Sequence, residues 1–295
     1  EKLVALPHAE VKFSARVVDV TQRPDGVTVT VETSEGPRTE TGTWLVGADG
    51  GRSAVRRAVG VEFEGFTWPE AFMVVSTPYD LGRHGFAHAA YSSDPERGCA
   101  VFKGPGEDRT GLWRTASPTD PELPDDVALA DARVQERMEW FLPGRGPYEI
   151  VHRRSYRVHQ RVAATMRAGR VLLVGDAAHV NNPLGGMGLN SGVHDAMTLA
   201  ETLARVFRGE AGAEALDTWA AERRAINIEY VQAITIQNKR TLEERDPEVR
   251  RQRHDELRQT AGDPERARAY LLRTSMLASL RRHGPLTSRR SEALP

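Results

Sequence analysis

A single cysteine, Cys99, stands in the whole chain, so no internal disulfide can form, and the residue itself is read as inert. No run of about 18 apolar residues and no signal-like opening occurs, which argues against a membrane-spanning helix and leaves the reducing cytoplasm as the expected compartment. Lysine is scarce: Lys2, Lys12, Lys103 and Lys239 are the only ones among 40 lysines and arginines. An excess of charge is missing too. At a net charge of −1 there is no electrostatic reason to expect a nucleic-acid or anionic-membrane partner. Basic tracts such as "RRQR" and "SLRRHG" are then solvated helix faces. No His/Cys cluster with metal-ligand spacing is found, so no metal is expected. The chain opens on Glu1 and falls almost at once into a strand pattern, which reads as a piece of a longer protein.

What is present is a globular composition, 39% hydrophobic over 295 residues, enough for a packed core in one large or two average domains. "VKFSARVVDV", "RPDG" and "VTVTVET" read as strand, Pro-Asp-Gly turn and strand, a β-hairpin. After a further turn at "SEGPR" come an apolar strand at 44–46, a glycine-and-acid break, and a short helix over 53–59. From Phe63 to Tyr156 the pattern is that of short strands, interrupted by a helix expected over 125–141. The remainder is helical in pattern, with apolar residues three and four apart that imply core-facing amphipathic helices.

Two stretches carry chemistry. In "VLLVGDAAHVNNPLGGMGLNSGVHDA", residues 171–196, a buried strand ends in Gly175 and Asp176, and a helix begins near Leu189. A carboxylate is thereby set at the carboxyl end of a strand, where open α/β sheets bind ligands. Gly185, Gly186 and Gly188 let backbone approach a flat ligand, and the helix start aims unpaired N–H groups at it. "GMGLNSG" is not the dinucleotide fingerprint: its spacing is wrong and it follows a Pro-Leu-Gly turn, not a strand. The second stretch, "LVGADGGRSAVRR" over 45–57, repeats the plan with Asp49, Gly50, Arg52 and Arg56. Two such turns in one chain suggest one long anionic cofactor.

"GADGGRSAVR" resembles the Asp-Gly motif, and "GRVLLVGDAAHVNNPLGGMGLNSGVHDAMTLAETLA" the Gly-Asp motif, of the FAD-dependent aromatic hydroxylases of the para-hydroxybenzoate hydroxylase and phenol hydroxylase type. "LDTWAAERR" downstream fits as well, and the resemblance covers roughly residues 10–225. It implies an α/β fold: a partial FAD-binding, Rossmann-like domain over 1–62 and 157–225, an inserted, mostly antiparallel β-sheet substrate lobe over 63–156, and C-terminal helices over 226–295. It implies FAD as cofactor and NAD(P)H as co-substrate, a flavin C4a-hydroperoxide, and hydroxylation by O2 of a small aromatic, phenolic or polyketide-like substrate. A homodimer is left open.

By the same resemblance Asp176, following Gly175, accepts hydrogen bonds from the ribityl chain of FAD. Pro183 sits beside the reactive flavin carbon as the catalytic-site residue. The backbone of Gly185, Gly186, Gly188, Leu189 and Asn190 meets the flavin. Asp49 and Gly50 help to hold FAD, and Arg52 and Arg56 occupy positions tied to NAD(P)H. His179 belongs to the motif's common pattern and reads as structural. Substrate contacts are expected from the lobe, among Tyr91, Phe102, Trp113 and Arg114, with no choice among them.

The departure is the missing strand with Gly-x-Gly-x-x-Gly that grips the FAD pyrophosphate, at least a βαβ unit of about 30 residues. A halogenase is disfavoured because Trp44, Trp68, Trp113, Trp140 and Trp219 form no Trp-x-Trp signature. A truncated or non-catalytic aromatic-binding protein is the alternative from a different class.

Overall fold

The computed structural model describes residues 3–94, 98–106 and 111–281. The chain opens with an antiparallel meander of β1 (Arg16–Gln22), β2 (Val27–Thr33) and β3 (Gly36–Gly42). Alternation puts Val20, Val27 and Val31 on the buried side, with the intervening polar residues towards solvent. The third strand, threonine-rich and largely exposed, has no apolar alternation to announce it, and the sequence suggested only the first two.

β4 (Leu45–Gly47) and the short α1 (Ala54–Ala58) follow, then the lobe strands β5 (Phe63–Thr77), β6 (Ala89–Ser92), β7 (Cys99–Gly104) and β8 (Leu112–Thr119). The helix expected over 125–141 is two helices, α2 (Asp125–Ala128) and α3 (Asp131–Phe141). β9 (His152–Ala163) returns through the lobe. It crosses residue 156, where the sequence suggested the lobe would end. β10 (Arg167–Ala168), β11 (Val171–Leu173) and β12 (His179–Val180) lead into α4 (Met187–Phe207) and α5 (Glu214–Ile226). α5 passes through a π-helical segment, Asn227–Gln232, into α6 (Ala233–Leu242). α7 (Pro247–Gly262), α8 (Pro264–Thr274) and α9 (Leu277–Arg281) close the described chain. The last helical stretch breaks at Met276, whose φ is 63°.

Two sheets position the site. In the first, β11 pairs in parallel with β4 and antiparallel with β10, in register Val171 with Leu45 and Leu173 with Gly47. The turns that leave β4 and β11 therefore emerge side by side. Every residue of β11 is buried, packing with Val55, Leu199, Leu216 and Trp219, so α1, α4 and α5 share one core with this sheet. The second is a six-stranded antiparallel sheet in the order β12-β9-β5-β8-β7-β6. Its register slips between Thr67 and Ala71, around Pro69, which has no N–H to give the ladder. One face packs Met73 and Val75 under Val134 and Met138 of α3. The other packs Phe72, Ala100 and Ala116 against Leu184 of the Gly-Asp loop, with Leu242 of α6 beside them. Among the described residues no helix is long and apolar enough to cross a membrane.

Candidate active site

The two acid-bearing turns are built differently. Asp49 serves its own helix: Oδ2 accepts from the amides of Ala54 (2.7 Å) and Val55 (3.1 Å), and Oδ1 from Ser53 Oγ (2.5 Å). Ser53 in turn accepts from Arg56 N, which caps α1. Asp176, in the single turn after β11, is exposed, and among the described residues its carboxylate has no hydrogen-bond or ion-pair partner. An acid that the fold does not use, set at the carboxyl end of a parallel strand, is free to accept from a ligand.

Beside it begins α4. Gly186 caps this helix in the left-handed region (φ 62°), and no side chain caps it. The amides of Met187, Gly188 and Leu189 thus have no carbonyl one turn back, and Leu189 is 80% exposed. Asn190, also exposed, donates from Nδ2 to Gly186 O at 2.8 Å. The turn and the helix touch through glycines: a Cβ on Gly192 would lie 3.1 Å from the Gly175 Cα.

Behind this surface lies a buried charged cluster that the sequence did not reveal. Asp195, on α4 and fully buried, accepts from Gly175 N (3.1 Å), His179 Nε2 (2.6 Å) and Arg223 Nε (2.8 Å). Burial alone would push its carboxyl up, but His179 and Arg223 outweigh it and hold the group below the usual carboxylate range. Ser191 donates to Asn227 Oδ1 (2.7 Å) beneath the same cluster, where the helix widens into its π segment. His179 therefore orients the turn, in keeping with a structural reading. The signals were the "HDA" on α4 and the "ERR" on α5, whose spacing gave no hint that they meet.

Arg56 differs from expectation in its contacts. It is 5% exposed, donating from Nη1 to Ala177 O (2.7 Å) and from Nη2 to Gly51 O (2.9 Å), with its guanidinium 3.7 Å over the Phe63 ring. It ties the Asp49 turn to the Asp176 turn. Arg52 is exposed, and its side chain has no partner among the described residues.

A protein-family model described as FAD binding domain matches residues 1–234. Para-nitrophenol 4-monooxygenase of Pseudomonas sp. (strain WBC-3) is 38% identical over 278 residues, 92% of this chain and 67% of that protein. The chain belongs to the FAD-dependent aromatic hydroxylase family.

A further relative in this hydroxylase family is 6-hydroxy-3-succinoylpyridine 3-monooxygenase of Pseudomonas putida, 38% identical over 84% of this chain and 62% of its own length. The crystal structure of p-nitrophenol 4-monooxygenase PnpA from Pseudomonas putida DLL-E4 superimposes with a TM-score of 0.85 at 34% identity, over 93% of this chain and 70% of that one. The chain thus spans about two thirds of the length of these relatives.

Of the lobe residues expected to meet a substrate in such a hydroxylase, Trp113 is core: it is buried, and its Nε1 donates to Asp80 Oδ1 at 3.2 Å. Phe102 and Arg114 are directly paired across β7 and β8 and so share the opposite face, with Tyr91 edge-on to Phe102. The Tyr91 phenol lies against the Gly185 backbone amide, and burial raises its pKa. Tyr91, Gly185 and Asn190 line an open cavity of about 1080 Å³, which Leu257 of α7 and Tyr270 of α8 also line.

Proposed function

We propose that the complete protein is a monooxygenase that hydroxylates a small phenolic aromatic on a bound FAD, with NAD(P)H and O2 as co-substrates. The observation that carries this reading is the unpartnered Asp176 carboxylate beside the uncapped start of α4, in a chain of the hydroxylase family. The donor set suits the cofactor: one free anionic acceptor for sugar hydroxyls, and a row of free amides with the positive end of a 21-residue helix for an electron-rich ring edge. FAD when bound would supply electron transfer from the nicotinamide and the activation of O2. The chain's own residues bind, orient and exclude water.

In this reading Asp176 and the amides of Gly188 and Leu189 hold FAD, with Asn190 beside them. Gly185 and Gly186 shape the loop, and Pro183 stands next to the reactive edge. Asp49 and Gly50 form the second turn. Arg52 is the contact proposed for the phosphates of NAD(P)H, while Arg56 acts at one remove by locking the two turns. The substrate ring rests on the face shared by Tyr91, Phe102 and Arg114, where the arginine suits a phenolate or another anionic substituent.

The test uses the full-length protein. Flavin absorbance after purification, and NAD(P)H oxidation stimulated by phenols with one oxygen atom gained by the product, are expected. A colourless protein that binds phenols without turnover would return the sequestration reading.

A further inference from the structure

The loop that carries Pro183 hangs from a different anchor than the Gly175–Asp176 turn before it. Gln160 lies on β9 of the lobe sheet and is 2% exposed. Its Oε1 accepts three hydrogen bonds: from Asn182 N (3.1 Å), Asn182 Nδ2 (3.0 Å) and Trp68 Nε1 (3.2 Å). Its Nε2 donates to Thr235 Oγ1 of α6 at 3.0 Å. Asn182, itself fully buried, passes the constraint on by accepting from Leu184 N at 3.0 Å, which brackets Pro183 between two held residues. Trp68 is kept in place by Lys239, whose ammonium lies 4.6 Å from the indole ring and is ion-paired with Glu70 and Glu243. Asn238 Nδ2 adds one bond from α6, to Leu184 O at 3.1 Å. Among the described residues no hydrogen bond joins these groups to the Asp195 cluster, which holds Gly175 from α4.

We propose that Gln160 is a positioning residue that fixes the Pro183 loop to the substrate lobe. One wall of the proposed FAD site is thereby set by the cofactor core through Asp195, and the wall at the reactive edge by the lobe through Gln160. The inference rests on the proposed monooxygenase reading for its functional consequence, but not for its geometry. A buried oxygen saturated by three donors tolerates no apolar replacement: Gln160→Met leaves the Asn182 amide, its carboxamide and the Trp68 indole without an acceptor. Gln160→Glu keeps the acceptor and is the conservative variant.

Amide hydrogen exchange on the full-length protein, with and without FAD, reads the anchor directly. In Gln160→Met, exchange at Asn182 and Leu184 is expected to quicken about tenfold or more, with Gly175 to Ala178 unchanged. Gln160→Glu should restore most of the protection. In the FAD-loaded protein the same loss should leave flavin retention within about threefold, while hydrogen peroxide formed per NAD(P)H consumed rises severalfold. Unchanged exchange at 182 and 184, or an equal loss at 175–178, would overturn the proposal. A wild-type protein that binds no FAD would overturn the monooxygenase reading instead and leave the exchange result to decide the anchor.

Discussion

Replacing Asp195 by alanine should be among the most damaging single changes in the described chain. The carboxylate is fully buried and is the shared acceptor for Arg223, His179 and the Gly175 amide. Its removal leaves a buried guanidinium without its counter-charge and a backbone N–H without an acceptor. Breaking a buried ion pair from one side costs about 3–5 kcal/mol. At roughly 2–4 °C per kcal/mol for a chain of this size, the melting midpoint should fall by about 6–20 °C. Asp49→Ala is the internal control: it removes an exposed helix cap, worth about 0.5–2 kcal/mol. Thermal unfolding followed by circular dichroism, on apo protein, compares the two. A midpoint for Asp195→Ala equal to or above that of Asp49→Ala would refute the idea that this cluster holds the turn. The sign of the pH dependence follows from the depressed pKa of Asp195. The stabilisation is fully present above the unfolded carboxyl pKa, about 3.9, and is lost as pH falls through the lower folded value. The gap between wild type and variant should therefore narrow as the medium is acidified below about pH 4.

Asp176→Ala should behave in the opposite way to Asp195→Ala: an apo melting midpoint close to wild type, since no protein group loses a partner, with FAD retention on desalting reduced about tenfold or more. Arg56→Ala should lower both stability and flavin retention, because it opens the joint between two turns; a variant that keeps FAD and is only slow to be reduced by NAD(P)H would favour direct contact with that cofactor. Gly192→Ala should weaken FAD binding without unfolding the chain, as its methyl would press 3.1 Å from the Gly175 Cα; unchanged retention would show that the turn gives way freely. The Cys99 thiol, pushed up to about 12 by burial, should resist a disulfide reagent at neutral pH until the protein is denatured.

Local pattern carried a good part of this protein. The run 171–174, apolar throughout and followed by a glycine, read as a buried strand, and its first three residues form the fully buried β11. The glycines after Asp176 and the helix that follows were readable because a strand-to-helix switch needs turn residues whatever the fold around it. Alternation marked β1 and β2, and β5, β7 and β8 of the lobe, while the polar β3 escaped for want of a buried face. The motif resemblance assigned the family, because its residues are contiguous in sequence.

Only the tertiary structure decided what depends on distant segments meeting. The parallel pairing of Leu45–Gly47 with Val171–Leu173 joins residues more than 120 positions apart and sets the two turns side by side. The same pairing turned Arg56 inward, onto carbonyls from both turns, where the sequence showed only an arginine on a short helix. Asp195 and Arg223 sit on helices whose amphipathic pattern looks ordinary; their partnership exists because α4 and α5 pack against each other, and a charge with no local partner gives no local signal. Gln160 is the same case on a strand. Its neighbours in sequence are a histidine and an arginine, and its function lies with Asn182, Trp68 and Thr235, brought to it by the sheet and by α6.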